Sequence, residues 1–307
     1  MFQSITLLTI LVVINLLWAG SYTVSKFGMN TMDPLVLVYL RILFSFLIMA
    51  GWVIVKRYSF KMERKDLLKI AAAGLMTGIS QYLIVKGISL SYATDASLLY
   101  VFEPVSGIIL AGLILKEKLN WSTGVALLLV LIGLGRLANF DTAAFGFGEN
   151  GIGFGNLLIV IGLICESFFS IILKPIAHKK PAPLVMAIAF FTAVIFLSFP
   201  MAGRLDKLTA LNLNDMLVMT YLVVICSVVG YTFWVKTMGK LPVSLMYFVL
   251  FVQPIAGPFI ASATIGERID DRVIAGGVFL LSGMLVAIVG YLGIFRKGMK
   301  SILSNAS

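Results

Sequence analysis

Residues 93–115 read ATDASLLYVFEPVSGIILAGLIL, and residues 243–265 read VSLMYFVLFVQPIAGPFIASATI. Each apolar run holds a polar residue followed by proline near its middle, Glu103-Pro104 in the first and Gln253-Pro254 in the second, 150 positions apart. The same offset pairs Gly107 with Gly257, Ala111 with Ala261, Glu117 with Glu267 and Gly133 with Gly283. The sequence therefore predicts a duplicated protein in which an acid in one half faces an amide in the other.

The composition indicates a membrane protein. Of 307 residues, 60% are hydrophobic and 12% are charged, against about 25% charged in soluble domains. Repeated apolar stretches of about 20 residues can cross a hydrocarbon core of about 30 Å as helices and are too long for barrel strands. The two cysteines lie within apolar stretches and suggest neither a disulfide framework nor a metal cluster. We expect an all-α integral membrane protein without a metal or cofactor.

Ten transmembrane helices are predicted, as two five-helix repeats. Because five is odd, the second repeat enters the membrane from the opposite side, so the repeats are inverted in topology, as in many secondary transporters. The units are residues 1–138, a linker at 139–152, residues 153–295 and a basic tail at 296–307. The predicted spans are 5–25, 34–55, 67–86, 92–115, 121–138, 153–173, 182–203, 215–235, 243–265 and 273–295.

The distribution of Lys and Arg predicts the orientation. With the N-terminus in the cytoplasm, 16 basic residues fall on the cytoplasmic side and 7 on the other, with Arg41 inside a span. Both termini are then expected to be cytoplasmic, in a protein that crosses the membrane several times. The net charge of +10 is interpreted mainly as a topology signal, with a nucleic-acid surface as the weaker interpretation, so no nucleic-acid partner is expected.

Polar and aromatic side chains recur at helical spacing within several spans, which marks the faces that look inward. Thr77 and Gln81 on span 3 reappear 150 positions later as Ser227 and Tyr231 on span 8. Such groups could simply hydrogen-bond between helices, but their repetition in both halves favours a shared cavity. The predicted substrate-binding residues are Asn15, Trp18, Tyr22, Arg41, Gln81, Tyr100, Glu103, Glu166, Tyr231, Trp234 and Gln253.

Glu103 lies about ten residues into span 4, where an ionised, unpaired carboxylate costs at least about 3 kcal/mol. It must therefore be protonated, paired or hydrated. Arg41 enters the bilayer from the same side at similar depth and is the natural partner. A paired Glu103 is held ionised and carries protons poorly, whereas an unpaired one is a candidate site for a proton or an amine, so proton coupling stays open. Glu166 is expected in the cytoplasmic third of span 6.

Two further features suggest mechanical roles. Pro104 and Pro254 each remove a backbone hydrogen bond and are expected to kink their spans, either as gates or as elements that shape the helices.

Spans 5 and 10 carry mostly aliphatic residues and glycines. Small residues let helices approach closely, so these two spans are assigned to scaffolding or to self-association.

The residues also resemble a known family, the EamA-type transporters of the drug/metabolite transporter superfamily. The resemblance covers nearly the whole chain, and its turn motif recurs in both halves. The segments that carry it are WAGS at 18–21 with Lys26, Arg41, DASLLY at 95–100, Glu103-Pro104, LKEKLN at 115–120, Pro254 and IGERI at 265–269.

That resemblance implies a ten-helix inner-membrane permease, commonly an exporter of amino acids or other small metabolites, with a central cavity and alternating access. Two residues depart from the family pattern: Glu166 stands where an aromatic residue is usual, and Glu103 where the family is often uncharged. The cavity is then unusually acidic, which would suit a cationic or zwitterionic amine. Glu117 and Glu267 are expected to cap the N-terminus of the next helix.

Two other classes of protein were weighed. An enzyme is disfavoured because the chain has one histidine, His178, in a basic loop, and no nucleotide-binding, nucleophile or metal-ligand motif. A channel or a nonconducting membrane scaffold stays open as the alternative to a transporter, although no filter-like loop is visible.

Overall fold

The protein is described from a computed structural model, which covers residues 2–91, 99–117, 120–137, 152–204, 206, 212–265 and 271–304. Within these ranges, the chain forms helices joined by turns and contains no β-strand. The proposed linker, the start of span 4 and the Glu267 turn lie largely or wholly outside the described residues.

The first part of the chain contains six helices: α1 (Phe2–Ala19), α2 (Ser21–Gly28), α3 (Pro34–Val55), α4 (Arg64–Leu90), α5 (Phe102–Ile114) and α6 (Trp121–Leu137). The second part contains α7 (Ile152–Leu173), α8 (Ala182–Ala202), α9 (Leu213–Thr220), a π-helix (Tyr221–Tyr231), α10 (Thr232–Met238), α11 (Val243–Leu250), α12 (Val252–Ile265) and α13 (Asp271–Ser304). Counting abutting helices together, eight are long and apolar enough to cross a membrane, and α5 and α6 are shorter apolar helices.

Each predicted span has a helical counterpart in the described residues, and local chemistry explains the clearest boundary. Span 2 coincides with α3, because Asp33 accepts a hydrogen bond from Leu35 N at 2.8 Å and proline occupies the first helical position. Helix α13 continues from span 10 into the basic tail, as far as Ser304.

The kinks predicted for Pro104 and Pro254 correspond to interruptions in spans 4 and 9. Each is the third residue of a new helix, α5 or α12, and the chain turns before it, at 100–101 and at Phe251. Proline is well tolerated in the first helical turn because the amide hydrogens there have no intrahelical acceptor. The breaks lie three residues before the prolines, at 101 and 251, where a proline ring crowds the carbonyl four residues before it. Whether they act as gates stays a prediction.

The two halves of the chain interleave. Helix α4 packs along α7 and α8, α3 packs against α8, and α6 packs along α13. The closest approach is at Gly74 on α4, where an added Cβ would lie 2.1 Å from the carbonyl oxygen of Ala189 on α8. Only a residue without a side chain lets the two backbones meet there.

Replacing Gly74 with alanine should therefore force α4 and α8 apart. We expect a loss of about 1–3 kcal/mol of stability from overpacking, seen as a lower midpoint in thermal unfolding of the detergent-purified protein. Gly51→Ala is the matched control, because nothing lies within 4 Å of a Cβ at Gly51. Equal midpoints for the two variants would contradict the close packing described here.

Glycines of the predicted scaffold spans pack α6 against α13 inside one chain. A Cβ at Gly133 would lie 2.9 Å from Gly276 O, and one at Gly283 would lie 2.8 Å from Ala126 O. These small residues therefore serve contacts within the protein. Self-association through the remaining faces of the two helices stays a prediction.

Candidate functional site

A small cavity of ≈ 50 Å³ lies between the two halves of the helix bundle. It is lined by Trp18, Ser21, Tyr22, Arg41, Gln81, Ile84, Tyr100, Glu103, Glu166, Ser170, Tyr231, Trp234 and Gln253. Ten of the eleven residues predicted from sequence are in this set. The eleventh, Asn15, lies directly behind the lining, where its side-chain oxygen accepts a hydrogen bond from Gln253 Nε2 at 2.6 Å. The structure thus brings the predicted residues together; their role in binding stays a prediction.

A chain of hydrogen bonds connects the positive and the negative side chains of the cavity. Arg41 donates from Nε to Ser227 Oγ and from Nη1 to Gln81 Oε1, both at 2.9 Å. Gln81 Nε2 donates to the Tyr231 hydroxyl at 3.2 Å, and that hydroxyl donates to Glu166 Oε1 at 2.7 Å. Four transmembrane segments are therefore held together by one polar relay.

Arg41 does not form the ion pair with Glu103 that the sequence left open. Within the described residues, the only ion pairs are Lys179–Asp66 at 3.2 Å and Arg204–Asp33 at 2.9 Å, both at helix ends. The guanidinium is 6% exposed and is directed toward Ser227 and Gln81. The position of Arg41 within span 2 did not reveal which group it contacts, because several polar side chains were within reach of the same turn of helix.

Two carboxylates face the cavity, and both are strongly buried. Glu103 is 8% exposed and Glu166 is 9% exposed. Ser80 and Gln81 lie near the Glu166 carboxylate, but no group in the described residues completes a hydrogen bond to its Oε2 atom. A buried acceptor without a partner is costly, so this oxygen is suited to receive a donor from a bound molecule.

Aromatic rings form the walls around the carboxylates. The Trp18 ring lies 5.6 Å from the rings of Tyr231 and Trp234, and the Tyr22 and Tyr100 rings are 3.8 Å apart. Their polar atoms are engaged: Trp234 Nε1 donates to Ser170 Oγ at 2.9 Å, and the Tyr22 hydroxyl donates to Gln253 Oε1. The electron-rich faces of such rings attract cations.

The π-helix supplies three of the groups that hold this site, since Tyr231 is its last residue, and periodicity did not predict this helix. The Cys226 carbonyl accepts from Trp18 Nε1 at 2.8 Å, while Ser227 Oγ accepts from Arg41 and donates to Leu222 O at 2.9 Å. Local π-helical turns are frequent at functional sites. The polar residues Ser227 and Tyr231 were the available sequence signal, but they do not reveal the backbone register.

A second, larger cavity of ≈ 510 Å³ lies at the end of the bundle that holds Lys174 and the α5–α6 turn. Here Glu117 accepts hydrogen bonds from Val243 N at 2.7 Å and Ser244 N at 2.9 Å. It therefore caps α11, and the prediction that Glu117 caps the next helix, α6, is wrong.

A carboxylate at the end of the α5–α6 turn can reach whichever helix N-terminus packs beside it, and here that helix belongs to the other half. Burial lowers the pKa of the Lys174 ammonium, and the nearby Glu117 carboxylate opposes that shift.

Replacing Tyr231 with phenylalanine should break the relay at its centre. Glu166 would lose its hydroxyl donor and Gln81 would lose its acceptor. Hydrogen bonds to charged groups contribute about 1.5–3 kcal/mol, so ligand affinity should fall about 10- to 100-fold in a thermal-shift titration. Tyr82→Phe is the control, because Tyr82 neighbours Gln81 in sequence but does not line the cavity. Equal affinities in both variants would exclude the relay from binding.

A model of the EamA-like transporter family matches the chain twice, at residues 5–137 and 153–289. Curated relatives are similar over most of their length. An "Uncharacterized transporter" of Archaeoglobus fulgidus is 24% identical over 88% of this chain and 92% of the relative. A "Probable amino-acid metabolite efflux pump" of Salmonella typhimurium is 22% identical over 92% of this chain and 94% of the relative.

A third relative and a solved structure extend the comparison. An "S-adenosylmethionine/S-adenosylhomocysteine transporter" of Chlamydia muridarum is 20% identical over 87% of this chain and 86% of the relative. One crystal structure superposes with a TM-score of 0.70 at 14% identity and covers 92% of this chain and 96% of that one. This likeness shows the fold.

Proposed function

Because the chain belongs to the EamA-like transporter family, we propose that this multi-pass membrane protein is a secondary transporter working by alternating access. Its cargo would be small metabolites such as amino acids or amines, moved across the inner membrane, with export as the expected direction. The observation that carries the proposal is the central cavity, whose acidic, basic and aromatic lining comes from helices on both sides of residues 138–151.

Contacts between helix ends support ten spans of alternating direction. Lys179 pairs with Asp66, and Glu117 caps α11, so these contacts join only segments assigned to the cytoplasmic side. Arg204 pairs with Asp33, which joins two segments assigned to the opposite side. Every one of these contacts agrees with cytoplasmic termini and with repeats at 1–138 and 153–295.

Matching contacts in the two halves support the inverted repeat. Lys26 Nζ donates to the carbonyl oxygens of Ile88 and Ser91, at 2.8 and 2.7 Å. Lys174 Nζ donates to those of Met238 and Leu241, at 2.7 and 2.6 Å. The acceptors are related by the 150-residue offset found in the sequence, and the two clusters are assigned to opposite faces of the membrane.

The charge of the cavity supports a cationic or zwitterionic substrate. Its described lining holds two carboxylates, Glu103 and Glu166, and one guanidinium, Arg41. If all three are ionised, the site is one positive charge short of neutrality. An ammonium or sulfonium group between aromatic rings and the Glu166 carboxylate would supply that charge, while Arg41 could face a substrate carboxylate.

The size of the cavity supports a carrier over a channel. A volume of ≈ 50 Å³ is well below the roughly 300–1,000 Å³ typical of small-molecule sites. A metabolite can therefore enter only if helices move, which is the behaviour of a carrier that closes around its site. When substrate is absent, a proton on one of the two carboxylates would reduce their repulsion, so proton exchange is part of the proposal.

The proposal is tested first by binding. The detergent-purified protein is screened by thermal shift against amino acids, polyamines, nucleosides and the matched pair S-adenosylmethionine and S-adenosylhomocysteine, which differ by a sulfonium charge. A ligand that binds the folded state raises the midpoint. We expect cationic or zwitterionic probes to stabilise, and the sulfonium to stabilise more than its uncharged partner. Stabilisation by neutral nucleosides alone would overturn the substrate class.

Transport is then measured with the stabilising probe. Proteoliposomes loaded with unlabelled probe should accumulate external labelled probe transiently above equilibrium, and protein-free liposomes should not. Such counterflow requires an alternating site. Simple downhill equilibration would indicate a channel, and no protein-dependent flux would indicate a nonconducting scaffold.

A further inference from the structure

The two lysine clusters lie one helical turn beyond the central cavity, on opposite sides of it. On α7, Glu166 and Ser170 line the cavity, and Lys174 follows four residues later. On α1–α2, Trp18 and Tyr22 line the cavity, and Lys26 follows at the same spacing. Residues four apart lie on one face of a helix. Each lysine therefore stands between the cavity and the end of the bundle.

Each ammonium holds the C-terminal end of another helix to its own helix. Lys174 binds the carbonyls of Met238 and Leu241, which belong to the last turn of α10 and to the turn leading into α11. Lys26 binds the carbonyls of Ile88 and Ser91, at the end of α4. The last carbonyls of a helix have no intrahelical donor and carry partial negative charge, so an ammonium there bridges two helical elements.

The Lys174 contacts can be broken without a large rearrangement of the lysine. Lys174 lines the ≈ 510 Å³ cavity at its end of the bundle, so water can replace the carbonyls around its ammonium when the hairpin moves. A compact charge on a flexible stem readily exchanges such ligands. The neighbouring turn at 239–242 also lines this cavity, which gives the hairpin room to swing.

We infer that Lys26 and Lys174 are reciprocal gate residues of the transport cycle, each holding one side of the central cavity closed through its carbonyl pair. With both contacts made, as here, the cavity measures ≈ 50 Å³. Release of the Lys174 contacts opens it toward the α10–α11 turn, and release of the Lys26 contacts opens it toward the end of α4. The inference rests on the proposed function, since it assigns the gates of that site.

The test measures access to the central cavity from each face of the membrane. In a background with Cys165→Ser and Cys226→Ala, Ser21→Cys places a reporter thiol in the cavity lining. A charged, membrane-impermeant methanethiosulfonate reagent is applied to right-side-out or to inside-out vesicles. Lys174→Met and Lys26→Met remove the ammonium and keep the apolar stem. The controls are Lys236→Met and Lys86→Met. These two lysines are 150 positions apart, as the carbonyl acceptors are, and they bind none of the four carbonyls.

We expect mirrored results. Lys174→Met should raise the labelling rate about tenfold from the face that holds residues 239–242 and leave the other face within about twofold, and Lys26→Met should do the reverse. Rates within about twofold on both faces, or equal increases from both faces in each variant, would overturn the gate assignment. Increases from the same single face in both variants would overturn the reciprocal assignment, because the two gates would then open to one side.

Two additional measurements distinguish opening of a gate from unfolding of the variant. Thermal midpoints of the labelled variants identify loss of the fold. If either methionine variant does not fold, the corresponding arginine variant is used, since it keeps donors but changes their geometry. It should label about threefold faster than the parent from the same single face, and unchanged labelling would count against the inference.

Discussion

Arg41→Met is expected to abolish transport, with an initial counterflow rate at least about 100-fold below that of the unmodified protein. Arg41 is the only basic residue in the described lining of the central cavity. Its loss leaves Gln81 and Ser227 without their donor and two buried carboxylates without a nearby positive charge. Leaving a buried charge uncompensated typically costs 3–5 kcal/mol, so the thermal midpoint should also fall.

A second substitution separates the loss of stability from the loss of function. Glu166→Gln added to Arg41→Met removes one of the uncompensated charges, so the double variant should regain part of the midpoint lost by Arg41→Met alone. Neighbouring groups in one network are not additive. Transport should stay absent, because the guanidinium is still missing. Recovery of transport in the double variant would show that Arg41 only balances charge and does not act in the cycle.

Glu103→Gln should lower the affinity for a cationic substrate about 10- to 100-fold and abolish the exchange of substrate for protons. The amide keeps the size and hydrogen-bonding capacity of the side chain but cannot be ionised, so it neither attracts an ammonium nor releases a proton. The measurement is counterflow with the stabilising probe, together with the pH inside the proteoliposomes reported by an enclosed dye. Because substrate that enters in exchange for protons drives protons out, net uptake into proteoliposomes without internal probe should alkalinise the lumen with the unmodified protein and leave the luminal pH unchanged with the variant.

Glu63→Gln is the control for charge alone, since Glu63 is exposed and lies at the start of α4, away from the cavity. It should transport normally. Unchanged affinity and an unchanged proton signal in Glu103→Gln would exclude this carboxylate from the cycle and leave Glu166 as the acid to test. A proton signal lost while affinity is retained would separate the two roles.

Sequence could predict which residues share the cavity, because lipid excludes polar groups from the outer faces of membrane helices. Helical spacing alone was enough to place four of these side chains on inward faces: Trp18, Tyr22, Gln81 and Tyr231. Their repetition at a fixed offset then indicated a common centre. Periodicity also predicted the approximate length and order of the helices, since an apolar run must match the bilayer thickness.

The sequence could not show which groups the charged side chains bind. The carbonyl acceptors of Lys26 and Lys174 have no sequence signature, since every residue carries the same backbone group. Glu117 could have capped any helix N-terminus nearby, and only packing of the two halves selects α11. Arg41 likewise had several acceptors within reach of one turn of helix. The π-helical register depends on how backbone and neighbours fit together, which composition does not encode.

The interleaving of the halves has a consequence for biosynthesis. Helices α3, α4 and α6 find their main neighbours in α8, α7 and α13, which are synthesised later. At roughly 5–20 residues per second, residues 138–307 take on the order of ten to thirty seconds to leave the ribosome. During that interval, Arg41 and Glu103 lie in a nascent half without the surfaces that enclose them. Until translation ends, these side chains must be protonated, hydrated or held by the insertion machinery.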